Sequence, residues 1–153
     1  MNQKRRDALR ISTVLGLAIS AGLLKPSDVF ANEWNKNAFD TKTVADTVKA
    51  LGGTSAVMSK DIIIVAPDIA ENGSVVPVGV TTALANVQQI AILVEKNPNV
   101  LSGNFMIPAG TEATVSTRVK MGQTSNVHAL VKVDGKWLLA TKEIKVTLGG
   151  CGG

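Results

Sequence analysis

Reactive and chelating side chains are scarce in this sequence. It holds one cysteine and one histidine among 153 residues. An internal disulfide framework is therefore excluded, and the Cys/His patterns of structural zinc sites lack ligands. Any thiol chemistry is that of a single thiol. Tyrosine is absent and aromatic residues make up 3%, so a core must be filled by Val, Ile, Leu and Ala. Fourteen glycines and five prolines fall without a three-residue period, which excludes collagen, and 45% hydrophobic against 18% charged residues exclude a disordered tail protein. No paired carboxylates, no nucleophile beside a base, no metal cluster and no phosphate loop are recognisable, and no enzyme class is indicated. The length suits one globular domain.

What is present begins with an export segment. Residues 1–31 read as a signal peptide: Lys4, Arg5, Arg6 and Arg10 are basic, Ile11 to Leu24 is an uncharged apolar run, and Val29, Phe30 and Ala31 fit a small-residue cleavage pattern. The fourteen residues of this run span only about 21 Å as a helix, short of the ~30 Å hydrocarbon core, so it is a poor permanent anchor. The pair Arg5, Arg6 resembles the twin-arginine export motif, with Lys4, Ala8 and Arg10 standing where that pattern has a hydroxyl residue, Phe and Lys. The general secretory route is the alternative. Beyond Ala31 eleven basic residues face ten acidic ones, a net of +1. The basic pI therefore belongs to the leader, no Lys/Arg run remains to track a phosphate backbone, and nucleic acid is not expected as a partner.

The remaining residues, 32–148, read as one helix followed by strands. Val44, Ala45, Val48 and Leu51 recur at helical spacing, predicting a short amphipathic helix over Asp40 to Leu51. Asp40 or Thr43 is its N-cap, Thr43 with Asp46 a capping box, and Gly52, Gly53 its stop. Beyond it, β-branched runs predict about seven strands: Ile62 to Val65, Val75 to Thr81, Val87 to Val94, Phe105 to Ile107, Glu112 to Lys120, Asn126 to Val133 and Lys136 to Val146. Asp134, Gly135 is a two-residue hairpin signal, and Asn72, Gly73 and Asn97, Pro98, Asn99 mark turns. The expected fold is an all-β, immunoglobulin-like antiparallel β-sandwich with one short N-terminal helix. The apolar segment 86–94 is either a central strand buried on both faces or part of a subunit contact.

The chain ends Gly149, Gly150, Cys151, Gly152, Gly153, with the lone thiol between two glycine pairs. Residues 149–153 are expected to form a flexible arm, because glycine offers little steric cover and a wide conformational range. A terminal cysteine so flanked is not held in a core. Nothing along the chain lowers its pKa: the nearest cation is Lys145 and the terminal carboxylate disfavours thiolate. Activation by a partner is the natural inference, and Cys151 is the candidate site of covalent attachment.

The export signal, the helix ending in Leu51, Gly52, Gly53, the β-rich body and the terminal Leu148 to Gly153 together resemble the SoxY family, the sulfur-carrier subunits of the periplasmic Sox thiosulfate-oxidation system. The resemblance implies a periplasmic carrier with no turnover of its own and no cofactor, with sulfur intermediates held covalently on Cys151. It further implies SoxZ as heterodimer partner, exported with the folded carrier. SoxXA would join thiosulfate to the thiol, SoxB would release sulfate, SoxCD where present would oxidise the remaining sulfane, and no membrane would be engaged after signal removal. Two other readings stay open: an assembly module whose terminal thiol forms an intermolecular disulfide, and a donor activated as a thiocarboxylate at Gly153.

Other residues have ordinary readings. His128 is expected on a sheet surface or interface, Met58, Met106 and Met121 as core or turn-edge fillers, Trp137 in packing, and Arg118 as a solvated strand-face charge. The glycosylation-like Asn72, Gly73, Ser74 is explained as a turn.

Overall fold

Thr43 and Gly52 bracket the helical period more tightly than the apolar spacing alone suggests. The computed structural model, which describes residues 35–147, has α1 at Lys36–Phe39 and α2 at Val44–Ala50. Thr43 caps α2, its hydroxyl accepting the Asp46 N–H at 3.1 Å and donating to the Asp46 carboxylate at 2.7 Å. Asp40, expected as a possible start of this helix, instead ends α1, which Asn35 caps. The described residues thus hold two short helices where the sequence pattern suggested one; four residues are too few to show a period. At the far end Gly53 N–H reaches the Val48 carbonyl at 2.8 Å and Gly52 N–H the Lys49 carbonyl at 2.9 Å. With Gly52 at φ +82° this is a Schellman stop, and it requires glycine's access to positive φ.

Nine strands follow: β1 Ala56–Met58, β2 Ile62–Val65, β3 Ile69–Ala70, β4 Val76–Thr82, β5 Val87–Val94, β6 Leu101–Met106, β7 Thr114–Val119, β8 Ser125–Val133 and β9 Lys136–Val146. They form two sheets, one ordered β1-β9-β8-β5-β6 with β3 also on β9, the other β2-β4-β7. The main pairs are antiparallel, as expected. The edge strands β1 and β3 depart from this, both running parallel to β9. They also escaped sequence reading, since two or three residues carry no usable alternation. β6 starts earlier than the Phe105 to Ile107 run predicts, because Ser102, Gly103 and Asn104 interrupt its β-branched texture. Gly103 leaves room for the Phe105 ring, whose Cε2 would lie 2.9 Å from an added Cβ.

The hairpin at Asp134–Gly135 has both residues at positive φ, +48° and +79°, and pairs Val133 with Lys136. That is the type I′ geometry the dipeptide favours. At Asn72–Gly73 the Asn72 side chain accepts the Ser74 N–H at 2.9 Å, and Gly73 backs so closely on the Met121 carbonyl that no side chain fits.

Alternation sorts the strands into a core between the sheets. Val76, Val78 and Val80 of β4 meet Ile90, Ile92 and Val94 of β5 and Val127, Ala129 and Val131 of β8. Each fully buried aliphatic side chain contributes roughly 1.5–3 kcal/mol relative to exposure. A second cluster lies on the outer face of the larger sheet, where Ala38, Val48 and Leu51 of the helical segment cover Ala91, Leu93, Leu130 and Trp137. The two faces of β5 are therefore filled by this chain itself, which settles the choice for 86–94 as a central strand. Trp137 is buried and packs so close to Gly53 that an added Cβ would lie 2.3 Å from its ring, in agreement with its packing reading. Met121 is a core residue, while Met58 and Met106, the last residues of β1 and β6, are more than half exposed at turn edges.

Candidate functional site

The predicted attachment residue Cys151, the arm glycines Gly149, Gly150, Gly152 and Gly153, and the signal residues Arg5 and Arg6 lie outside the described residues. What the structure does show is how the chain is held just before them. Ile144 is fully buried and pairs with Ser125 of β8. One and three residues further on, the Lys145 N–H donates to the Asp68 carbonyl at 2.9 Å and the Thr147 N–H to the Ala70 carbonyl at 3.1 Å. The Val146 N–H donates to the Thr124 hydroxyl at 3.0 Å. The last residues of β9 are thus held from both sides, by β3 and by Thr124. Lys142 ties the same segment to the β2–β3 connection through the Asp68 carboxylate at 3.0 Å and the Ala66 carbonyl.

From Thr147 four residues lead to Cys151, at most ~14 Å of extended chain. A groove lies at the other end of the sandwich, lined by the β4–β5 and β6–β7 connections and Asp134 of the hairpin. The eleven residues of β9 separate the two ends by about 33 Å. The groove is out of the thiol's reach on the same molecule.

His128 is not the surface residue the alternation suggested. It is 8% exposed, because the outer face of β8 lies beside Leu93 and Thr141 rather than open to water. Its Nδ1 lies 2.8 Å from the Thr141 hydroxyl. Its Nε2 is 3.5 Å from Glu95 Oε2, a separation too long for a good hydrogen bond, and Nε2 is buried without another partner. Burial pushes the imidazole pKa below its ordinary value, with the Glu95 charge opposing. Glu95 itself is held below the usual carboxylate range, chiefly by the Asn126 amide. The imidazole thus lies between the Thr141 hydroxyl and the Glu95 carboxylate. The described residues do not gather three or more His, Cys, Asp or Glu side chains that could hold a metal. Arg118 is exposed on β7 opposite Pro77, consistent with a strand-face charge. The β3 latch and Thr124 had no signal in the sequence, since a two-residue strand and a lone hydroxyl show neither period nor motif.

Residues 48–151 match the model of the family described as sulfur oxidation protein SoxY, and the match ends on Cys151 itself. The chain belongs to the SoxY family. The solved sulfur carrier protein SoxY from Chlorobium limicola f thiosulfatophilum is similar over 67% of this chain and 96% of its own, at 34% identity and a TM-score of 0.59. A superoxide reductase (neelaredoxin) from Ignicoccus hospitalis shares the fold alone, at 21% identity, a TM-score of 0.51 and coverage of 56% of this chain and 80% of that one. No curated protein matches significantly. The SoxY assignment agrees with the β-sandwich seen here. Among the described residues no helix is long and apolar enough to cross a membrane.

Proposed function

We propose that this SoxY-family chain is a periplasmic sulfur-substrate carrier that holds thiosulfate-derived intermediates covalently on the Cys151 thiol while partner enzymes oxidise and hydrolyse them. The observation that carries the reading is the family match running through Cys151, on a chain whose body is latched at Thr147 and followed by Leu148 and the Gly-Gly-Cys-Gly-Gly terminus. The relative from Chlorobium limicola is itself described as a sulfur carrier protein.

The chemistry follows from the bonds. Thiosulfate and the Cys151 thiol combine with loss of one proton and two electrons to form a sulfur–sulfur bond, the electrons passing to the haem partner SoxXA. Water then cleaves the terminal sulfonate in the SoxB step, releasing sulfate and two protons and leaving a cysteine persulfide. SoxCD, where present, oxidises the sulfane that remains. The loaded linkage is disulfide-like and open to thiol exchange, so the arm works by entering partner clefts that shield it. SoxZ is the stable partner, and the leader at Arg5, Arg6 exports the pair folded. Residues 149–153 act as the swinging arm.

Intact mass of the protein from its source, before and after reduction, tests this. Adducts of sulfur, sulfonate or thiosulfate on Cys151, lost on reduction and absent from Cys151→Ser, are expected. An adduct on the Gly153 carboxylate, or only a disulfide-linked dimer, would replace the carrier by the donor or the assembly module.

A further inference from the structure

The turn between β3 and β4 requires two particular residues for two separate structural reasons. Gly73 backs on the Met121 carbonyl and on Val146 with no room for a Cβ, so only glycine fits there. Asn72 closes the turn with its side chain, Oδ1 accepting the Ser74 N–H at 2.9 Å, while its own carbonyl accepts the Val75 N–H at 3.3 Å. The result is the single Asn-Gly pair of the whole sequence, held in an ordered turn.

The loop of atoms closed by that side-chain hydrogen bond runs from Oδ1 through Cγ and the backbone to the Ser74 N–H, and it contains the Gly73 nitrogen. Asn72 Cγ is therefore held near the one backbone amide that can attack it, and the Ser74 N–H draws electron density from the same carbonyl group. Among the described residues no hydrogen bond engages the Gly73 N–H or the Asn72 Nδ2, so nucleophile and leaving group are both free. Gly73 is buried against Met121 and Val146, but the Asn72 side chain is exposed to water. Glycine also puts no side chain in the way of ring closure. Elsewhere asparagines precede Val87, Val100 and Val127, whose branched Cβ crowds the attacking nitrogen.

We propose that Asn72 is a site of spontaneous modification, which cyclises onto Gly73 and opens to aspartate or isoaspartate, and that the isoaspartyl form loosens the hold on the end of β9. In the first step the Gly73 nitrogen loses its proton and bonds to Asn72 Cγ, the bond from Cγ to Nδ2 breaks, and ammonia leaves with that proton. Water then opens the succinimide. Attack at Cγ gives aspartate; attack at the former backbone carbonyl gives isoaspartate, whose main chain runs through Cβ. Overall one water enters, one ammonia departs, and no electrons are exchanged. The extra main-chain carbon of isoaspartate falls between Ala70, whose carbonyl holds the Thr147 N–H at 3.1 Å, and Gly73, whose carbonyl holds the Met121 N–H at 2.6 Å. Both contacts cannot keep their geometry across a lengthened turn, and the one at the edge, on a strand of two residues, yields first.

The test ages the purified, processed protein in mildly alkaline buffer and maps its peptides by mass spectrometry. The peptide bearing Asn72 should gain about 1 Da, with an isoaspartyl isomer that accepts a methyl group from an isoaspartate methyltransferase, at least tenfold faster than any other asparagine reacts. The folded chain should react within about threefold of the rate in urea, since the turn already holds the two atoms together. Asn72→Asp keeps an oxygen for the Ser74 N–H and has no amide to lose, so it should fold as before and gain no mass. In the isoaspartyl fraction the Lys145 and Thr147 amides should exchange roughly fivefold faster than in fresh protein, whereas Asn72→Asp, with the charge but no added carbon, should match fresh protein. Reaction at Asn72 no faster than elsewhere, or arrested in the folded chain while it proceeds in urea, would overturn the site. Unchanged exchange in the isoaspartyl fraction would overturn its effect on β9. None of these measurements depends on what Cys151 carries.

Discussion

The Thr147 N–H donates to the Ala70 carbonyl at 3.1 Å, so the domain holds its chain to within four residues of Cys151 through a strand only two residues long. Together with Thr124 on the other side, this sets the point from which the Gly-Gly-Cys-Gly-Gly segment departs. In the carrier reading, the length available to the thiol depends on this latch as well as on the proposed arm.

Thr124→Val removes the acceptor of the Val146 N–H, a partly buried bond of 3.0 Å. The expected cost is about 1 kcal/mol, with amide exchange at residues 145–147 faster by roughly fivefold. Hydrogen exchange followed by NMR reads both; unchanged protection would show that β3 suffices alone.

Gly149→Val with Gly150→Val tests the proposed arm with substitutions outside the described residues. The melting temperature should stay within about 2 °C, since a terminal substitution leaves the core intact. Loading of Cys151 by the thiosulfate-joining partner should slow by about tenfold, because β-branched residues narrow the approach directions glycine allows. Loading at the original rate would remove the swinging-arm argument.

Gly53→Ala and Gly52→Ala separate two reasons for glycine. At Gly53 the added Cβ meets the Trp137 ring at 2.3 Å and Val48 at 2.8 Å, and overpacking of this kind costs about 1–3 kcal/mol. At Gly52 nothing lies within 4 Å and only the positive φ is strained, at about 1 kcal/mol. Urea denaturation should rank Gly53→Ala as the more damaging; the reverse order would mean that Trp137 moves aside freely.

His128 makes stability depend on pH. Its folded pKa lies below the ordinary 6.5 because burial disfavours the cation. Above pH 6.5 both folded and unfolded chains are neutral there. As pH falls from 6.5 toward the folded value, the unfolded chain takes up a proton that the folded chain refuses, and stability declines. His128→Gln should flatten that slope in urea melts below pH 6.5. An NMR titration placing the imidazole midpoint at or above 6.5 would contradict it.

Much of the body was legible residue by residue. Asp134–Gly135 demanded a type I′ hairpin, and it has one, because two consecutive positive φ values leave few residue choices. The limits of β2, β5 and β9 coincide with runs of β-branched and apolar residues. The Thr43 cap and the Gly52 stop were readable too, since each satisfies backbone groups that no neighbour can reach. Ile90, Ala91, Ile92 and Leu93 were not decidable in the same way: a strand buried on both faces by its own domain and one that meets a second subunit have the same composition.

The candidate site divides along the same line. Cys151 among four glycines is a local pattern, and the expectation of a thiol without an activating neighbour along the chain rests on composition alone. The clamp that precedes it is not local: Ala70 and Thr147 are far apart in sequence and meet only because β3 closes on β9 in parallel. His128 shows the same contrast, since alternation placed it on the outer face but only the neighbouring Leu93, Thr141 and Glu95 made that face a buried one. Turn geometry and strand periods are determined by residues within a few positions of one another. Which faces are covered, and where the end of β9 is held, depend on long-range pairing, because burial is a relation between segments and no segment carries it by itself.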